Sequence, residues 1–93
     1  MPTINTAVTG TWKLIVPTAA TWFLVSSDSP TIVEYASGAD DSTAPTAALG
    51  HRLRSGDGLT RALLPSGPLF ARVAAKGSNK SAVVVVDADV VPT

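Results

Sequence analysis

Clusters of Gly, Pro, Ser, Asn and Asp interrupt this chain about every ten residues, and the segments between them are rich in Val, Ile, Thr, Leu and aromatic side chains. The interruptions fall at residues 17–20, 27–30, 55–58, 65–68 and 77–80. Each supplies a residue that tolerates positive φ or a proline with its φ already fixed, which is what a reversing chain needs. No apolar set at i, i+3, i+4 and i+7 runs on long enough for a long helix. The pattern predicts strands over 11–16, 21–26, 31–36, 51–54, 59–63, 69–75 and 82–87. Together they make an all-β fold, a compact antiparallel β-sandwich or jelly-roll-like barrel of about seven short strands. Residues 1–93 form one β domain, in which 1–9 is a candidate N-terminal arm. Residues 37–49 are a long inter-strand loop, read either as a crossover between sheets or as an arm to a neighbour.

Alternation assigns faces within these strands. Trp12, Leu14 and Val16 share one side and Thr11, Lys13 and Ile15 the other; Val33 and Tyr35 oppose Ile32 and Glu34. Leu69, Ala71, Val73 and Ala75 point inward, which leaves Phe70 and Arg72 outward and Phe70 in need of cover. Four consecutive valines, Val83 to Val86, put apolar groups on both faces of their strand, as does Trp22-Phe-Leu-Val25. An antiparallel sandwich on its own needs only one apolar face per strand, so the sequence predicts that a neighbouring subunit covers the second.

Composition sharpens that expectation. Charged residues are only 15% of the chain, against roughly 25% in an average soluble domain. The coat is thin enough to suggest that part of the surface is covered in use. There is no cysteine, so neither a disulfide nor a thiolate metal site is available to staple a domain this small. Seven basic and seven acidic residues balance, with no block of either sign, which argues against nucleic acid or an anionic membrane as partner. The start, Met1-Pro-Thr-Ile-Asn, has neither the basic residues nor the apolar core of a secretory signal, and no apolar run approaches a membrane span. The expectation is a product made in a cytoplasm.

No residue constellation identifies an enzyme. Asp40-Asp41 and Asp87-Ala-Asp89 are the only close carboxylate pairs, and no His or Glu stands beside them in sequence to complete a metal or acid/base site. The single histidine, His51, can be written into a triad with Ser55 and Asp57, but without a nucleophile elbow it reads as a strand-edge charge. Gly56-Asp-Gly58 leads into a segment cut short by Pro65, so it is a tight turn rather than a phosphate loop. The aromatic residues lack the basic groove that a nucleic-acid platform requires. Neither catalytic residues nor metal ligands nor a cofactor are expected.

The series Trp12-Lys-Leu, Trp22-Phe-Leu-Val, Ile32-Val-Glu-Tyr-Ala, Gly50-His-Arg-Leu, Gly56-Asp-Gly-Leu-Thr-Arg and Leu69-Phe-Ala-Arg-Val-Ala resembles the small all-β virion proteins of tailed bacteriophages. The resemblance runs from about Gly10 to Asp87. It implies a structural protein that decorates or cements the capsid, located in the virion after synthesis in the host bacterial cytoplasm. It also implies a homo-oligomer, commonly a trimer, bound to the major capsid protein. The alternative within that class is a tail or fibre component, such as a knob contacting a host glycan through Trp22 or Tyr35. Expected capsid or subunit contacts are Trp22, Phe23, Phe70, Arg52, Arg72, Val84 and Val86, with Arg54 and Arg61 as further charges for acidic capsid edges.

Overall fold

A computed structural model describes residues 3–27, 32–46, 50–54, 56–74 and 81–92. Its eight strands are β1 (Thr3–Val8), β2 (Lys13–Val16), β3 (Phe23–Ser27), β4 (Val33–Ser37), β5 (His51–Leu53), β6 (Gly58–Thr60), β7 (Leu69–Val73) and β8 (Ala82–Ala88). They form two four-stranded sheets, sheet A in the order β1-β8-β3-β6 and sheet B in the order β2-β7-β4-β5. All pairings are antiparallel. The fold is therefore the expected all-β class in its sandwich form. Sheet A contributes Val8, Phe23, Val25, Val84 and Val86 to the core, and sheet B contributes Ile15, Val16, Val33, Leu69 and Val73.

Seven of the eight strands lie where the alternation places them, within a residue or two at most ends. The strand that the sequence reading lacked is β1. Residues 1–9 were expected as an arm, but Thr3–Val8 pairs along its length with β8, from Thr3 opposite Asp87 to Val8 opposite Ala82. The physical reason is tertiary: β8 is a long central strand whose second edge needs a partner, and Thr-Ile-Asn-Thr-Ala-Val alternates only weakly.

The four valines divide by face. Val84 and Val86 are buried in the core, while Val83 and Val85 lie on the outer face of sheet A, Val83 exposed and Val85 half-buried. In β2 the expected alternation fails because a register shift between Leu14 and Val16 allows both Ile15 and Val16 to turn inward. The turn at Gly56 is as expected, with the positive φ (90°) on Gly56 and not on Gly58. The expected turns at 28–30 and 77–80, together with Ser55 and residues 47–49, lie outside the described residues.

Arg61, just beyond β6, holds one end of the sandwich together. Its guanidinium donates to five backbone carbonyls, those of Pro17, Thr18, Ala20, Leu64 and Gly67, and lies 5.1 Å from the centre of the Phe23 ring. It thus joins the β2–β3 turn to the β6–β7 loop, and serves the scaffold instead of the capsid edge proposed for it. Arg61→Ala is expected to cost about 2–3 kcal/mol, lowering the melting temperature by roughly 10 °C or more. Arg61→Lys should recover only part of this, because an ammonium cannot reproduce the planar fork; calorimetry on the two variants checks both statements.

Candidate functional site

The outer face of sheet B is covered by the chain itself around Glu34, Phe70 and Arg72, while Ile32 and Arg52 stay exposed. Glu34 of β4 and Arg72 of β7 stand directly opposite each other, and Arg72 Nε donates to Glu34 Oε1. The second carboxylate oxygen, Oε2, accepts the Gly50 N–H at 3.2 Å, and the Arg72 guanidinium lies 4.1 Å from the centre of the Trp12 ring. Both charged residues are buried, Glu34 to 2% exposure and Arg72 to 7%. Close backbone approach makes this possible. A Cβ on Gly50 would come within 2.7 Å of the Tyr35 carbonyl and 2.9 Å of Trp12 Cη2.

Phe70 lies on the same face and is covered in the same way. A Cβ on Gly38 would meet Phe70 Cε1 at 2.6 Å and the Thr43 carbonyl at 2.5 Å, so the loop backbone rests against the ring. The loop is shaped by a turn in which Thr43 N–H bonds the Asp40 carbonyl at 3.2 Å. It is tethered by Asp41, whose Oδ1 accepts both the N–H and the hydroxyl of Thr18 at 2.8 Å. Because β4 and β5 are neighbours in one sheet, residues 37–49 are no crossover between sheets; their described part is a flap over the chain's own sheet.

These placements correct the expected contact set. Phe23, Phe70, Arg72, Val84 and Val86 are buried within the chain, and of the seven residues named only Trp22 and Arg52 are exposed. The alternation had assigned the faces of β7 correctly; what it lacked was the flap, whose cover depends on two glycines approaching side chains far away in sequence.

The carboxylates likewise serve the scaffold. Each described acidic residue accepts a hydrogen bond from this chain: Glu34 as above, Asp40 from Ser42, Asp41 from Thr18, Asp57 from the Arg54 N–H, Asp87 from the Thr3 hydroxyl, and Asp89 from Thr21 and Trp22. Hydrogen bonding by the Thr43 and Thr21 side chains holds the Asp40 and Asp89 carboxyls, respectively, below their ordinary range, with backbone N–H groups adding to the effect. Such depressed values mean stability that is present above the ordinary carboxylate pKa and is lost as pH falls through the folded-state value. Among the described residues no three His, Cys, Asp or Glu side chains gather where a metal could sit. His51 packs against Tyr35, ring centres 5.4 Å apart, while Asp57 is engaged in its own turn.

The outer face of sheet A is different. Its outward positions include Leu24 opposite Asp87 and Thr60, Val85 opposite Ser26 and Asn5, and Val83 opposite Ala7. Leu24, Val85, Val83 and Ala7 therefore run diagonally across three strands, with Trp22 just before β3. Trp22, Leu24 and Val83 are 46%, 41% and 48% exposed. No family model, curated protein or solved structure matches this chain.

Proposed function

We propose that this protein is a structural, non-catalytic component of a phage virion, a decoration or cement protein that seats the outer face of sheet A on the capsid shell. The observation that carries the reading is the apolar diagonal of Trp22, Leu24, Val83 and Val85 on a domain whose described carboxylates are all engaged internally. Apolar area removed from water contributes about 25 cal/mol per Å², so a contact of standard size, about 1,600 Å² in total, suffices to hold a small domain on a lattice. A protein that binds only the assembled shell stabilises it by mass action, which is what cementing requires. The outward Arg52, on the far edge of sheet B, is free of this face and is not needed for the reading.

Leu24→Asp and Val83→Asp test it. Both positions point to solvent, so each substitution should leave the melting temperature within a few degrees of the parent. Each should abolish retention on purified particles, where the parent is expected at a copy number comparable to that of the shell subunits. Absence of the parent from particles would overturn the proposal, and a handful of copies per particle would place it on the tail instead.

A further inference from the structure

We infer that β1 is a self-association edge, through which two copies pair antiparallel about a two-fold axis centred on Asn5 and join their sheets A into one eight-stranded sheet. The inference does not rest on the capsid reading: it uses the backbone edge of β1, which adjoins the apolar diagonal at Ala7.

A sandwich of two open sheets has four edges, and an unprotected one is a template for another strand. Three of them here carry devices that discourage pairing. β5 is three residues long, with exposed His51 and Arg52 and with Arg54 just after it; β6 is also three residues long and begins at Gly58; β2 is four residues long, contains the register shift, begins at Lys13 and is followed by Pro17. Within its span β1 has none of these, and Pro2 lies just outside it. It is six residues of Thr-Ile-Asn-Thr-Ala-Val with regular register, without charge, proline or glycine. Alternate residues along such an edge turn their N–H and C=O away from β8.

Burial shows that this side of the sandwich is incomplete. The inward-facing residues of β8, namely Ala82, Val84, Val86 and Ala88, are all buried, but on β1 the inward Ile4 and Thr6 are only half-buried. They border an open groove of about 360 Å³ between β1, residues Lys13 and Leu14 of β2, and Pro92 near the end of the chain.

Symmetry and side-chain direction then select the register. Residues directly opposite in an antiparallel pair point to the same face, so a two-fold axis must set a β1 residue against its own copy; an axis between residues would oppose inward to outward positions. Asn5 and Thr6 are the two central choices. The Asn5 register sets Ile4 against Thr6 of the other copy, twice over, so that the two half-buried inward residues cover each other. A Thr6 register would instead spend Ile4 on Val8, which is already fully buried. A contact between identical edges is isologous and closes at two copies, so this interface gives a dimer and not the trimer that the family resemblance implies.

A strand-edge contact lies at the small end of interface sizes, so the expected dissociation constant is on the order of 100 µM. Sedimentation equilibrium of the intact chain from about 10 µM to 1 mM, a span chosen to bracket that constant, should show a monomer–dimer equilibrium. Asn5→Lys opposes like charges at the axis and should abolish the dimer while leaving the melting temperature unchanged. The chain has no cysteine of its own, so single introduced cysteines report register directly. Asn5→Cys should form a disulfide-linked dimer under mild oxidation, its Cα pair falling within about 4.5–5.5 Å. Thr6→Cys, whose copies would lie diagonally about 7–8 Å apart, should cross-link at least tenfold more slowly. A species that stays monomeric to 1 mM, a trimer, an Asn5→Lys variant that dimerises like the parent, or equal cross-linking at the two positions would each overturn the inference.

Discussion

Glu34→Ala is expected to remove about half of this protein's net stability. The substitution leaves the Arg72 guanidinium buried beneath Trp12 without its carboxylate, and removes the acceptor of the Gly50 N–H. Breaking a buried ion pair by deleting one partner costs about 3–5 kcal/mol, while a domain of this size has about 5–10 kcal/mol of net stability to lose. At about 4–8 °C per kcal/mol, the melting temperature should fall by more than 12 °C. The paired replacement Glu34→Leu with Arg72→Met should be much less damaging than Glu34→Ala, because an apolar pair of similar volume carries no desolvation cost. Its residual loss should include about 1 kcal/mol for the orphaned Gly50 N–H, besides the lost contact of the guanidinium with Trp12. Urea denaturation of the two variants and the parent provides the comparison. A Glu34→Ala protein that melts within a few degrees of the parent would mean that water, and not the flap, surrounds the pair.

Phe70→Ala is expected to cost about 3–5 kcal/mol, the range for emptying a well-packed aromatic site. The ring is 4% exposed under the backbone of Gly38, so the loss should appear in the isolated chain and should not vary with protein concentration. Were Phe70 an intersubunit contact, as its outward position on β7 suggests from sequence, the loss would instead shrink on dilution of the parent toward the monomer. Gly38→Ala tests the same packing from the other side. Its added methyl group has only 2.5–2.6 Å of clearance to backbone and ring, so it should cost about 1–3 kcal/mol by overpacking. Combining it with Phe70→Leu should recover part of that loss, since the smaller side chain gives the methyl group room.

The interface proposed for β1 and the face proposed for capsid attachment adjoin, because Asn5 and Ala7 lie opposite Val85 and Val83, but they are read out by different measurements. Lysine at Asn5 is expected to act on the dimer, aspartate at Leu24 or Val83 on retention by the shell. A shell-bound monomer and a free dimer are thus distinguishable outcomes, and loss of one property leaves the other measurable.

The functional readings depend on how a strand divides its side chains. The period of two and the spacing of turn residues were enough to place β2 through β8 and to assign Val33, Leu69 and Val73 inward, because those properties are local to a few residues of backbone. The tight turn at Gly56 was legible for the same reason. The Val83 to Val86 run correctly announced a strand with an apolar outer face, of which Val83 remains open and Val85 half-covered.

What the sequence could not say was which outward residues find cover at home. Phe70 and Leu24 are both apolar and both point away from the core side of their sheets, yet one is buried and the other exposed. The difference lies in a flap whose path depends on Gly38 touching Phe70, Gly50 touching Trp12, and Asp41 holding Thr18, contacts between residues 23 or more positions apart. The pairing of Thr3–Val8 with the far end of the chain is of the same kind. Local propensity determined the strands and their two faces; only the tertiary fold, by bringing distant backbone within hydrogen-bonding and van der Waals range, decided which of those faces water still reaches.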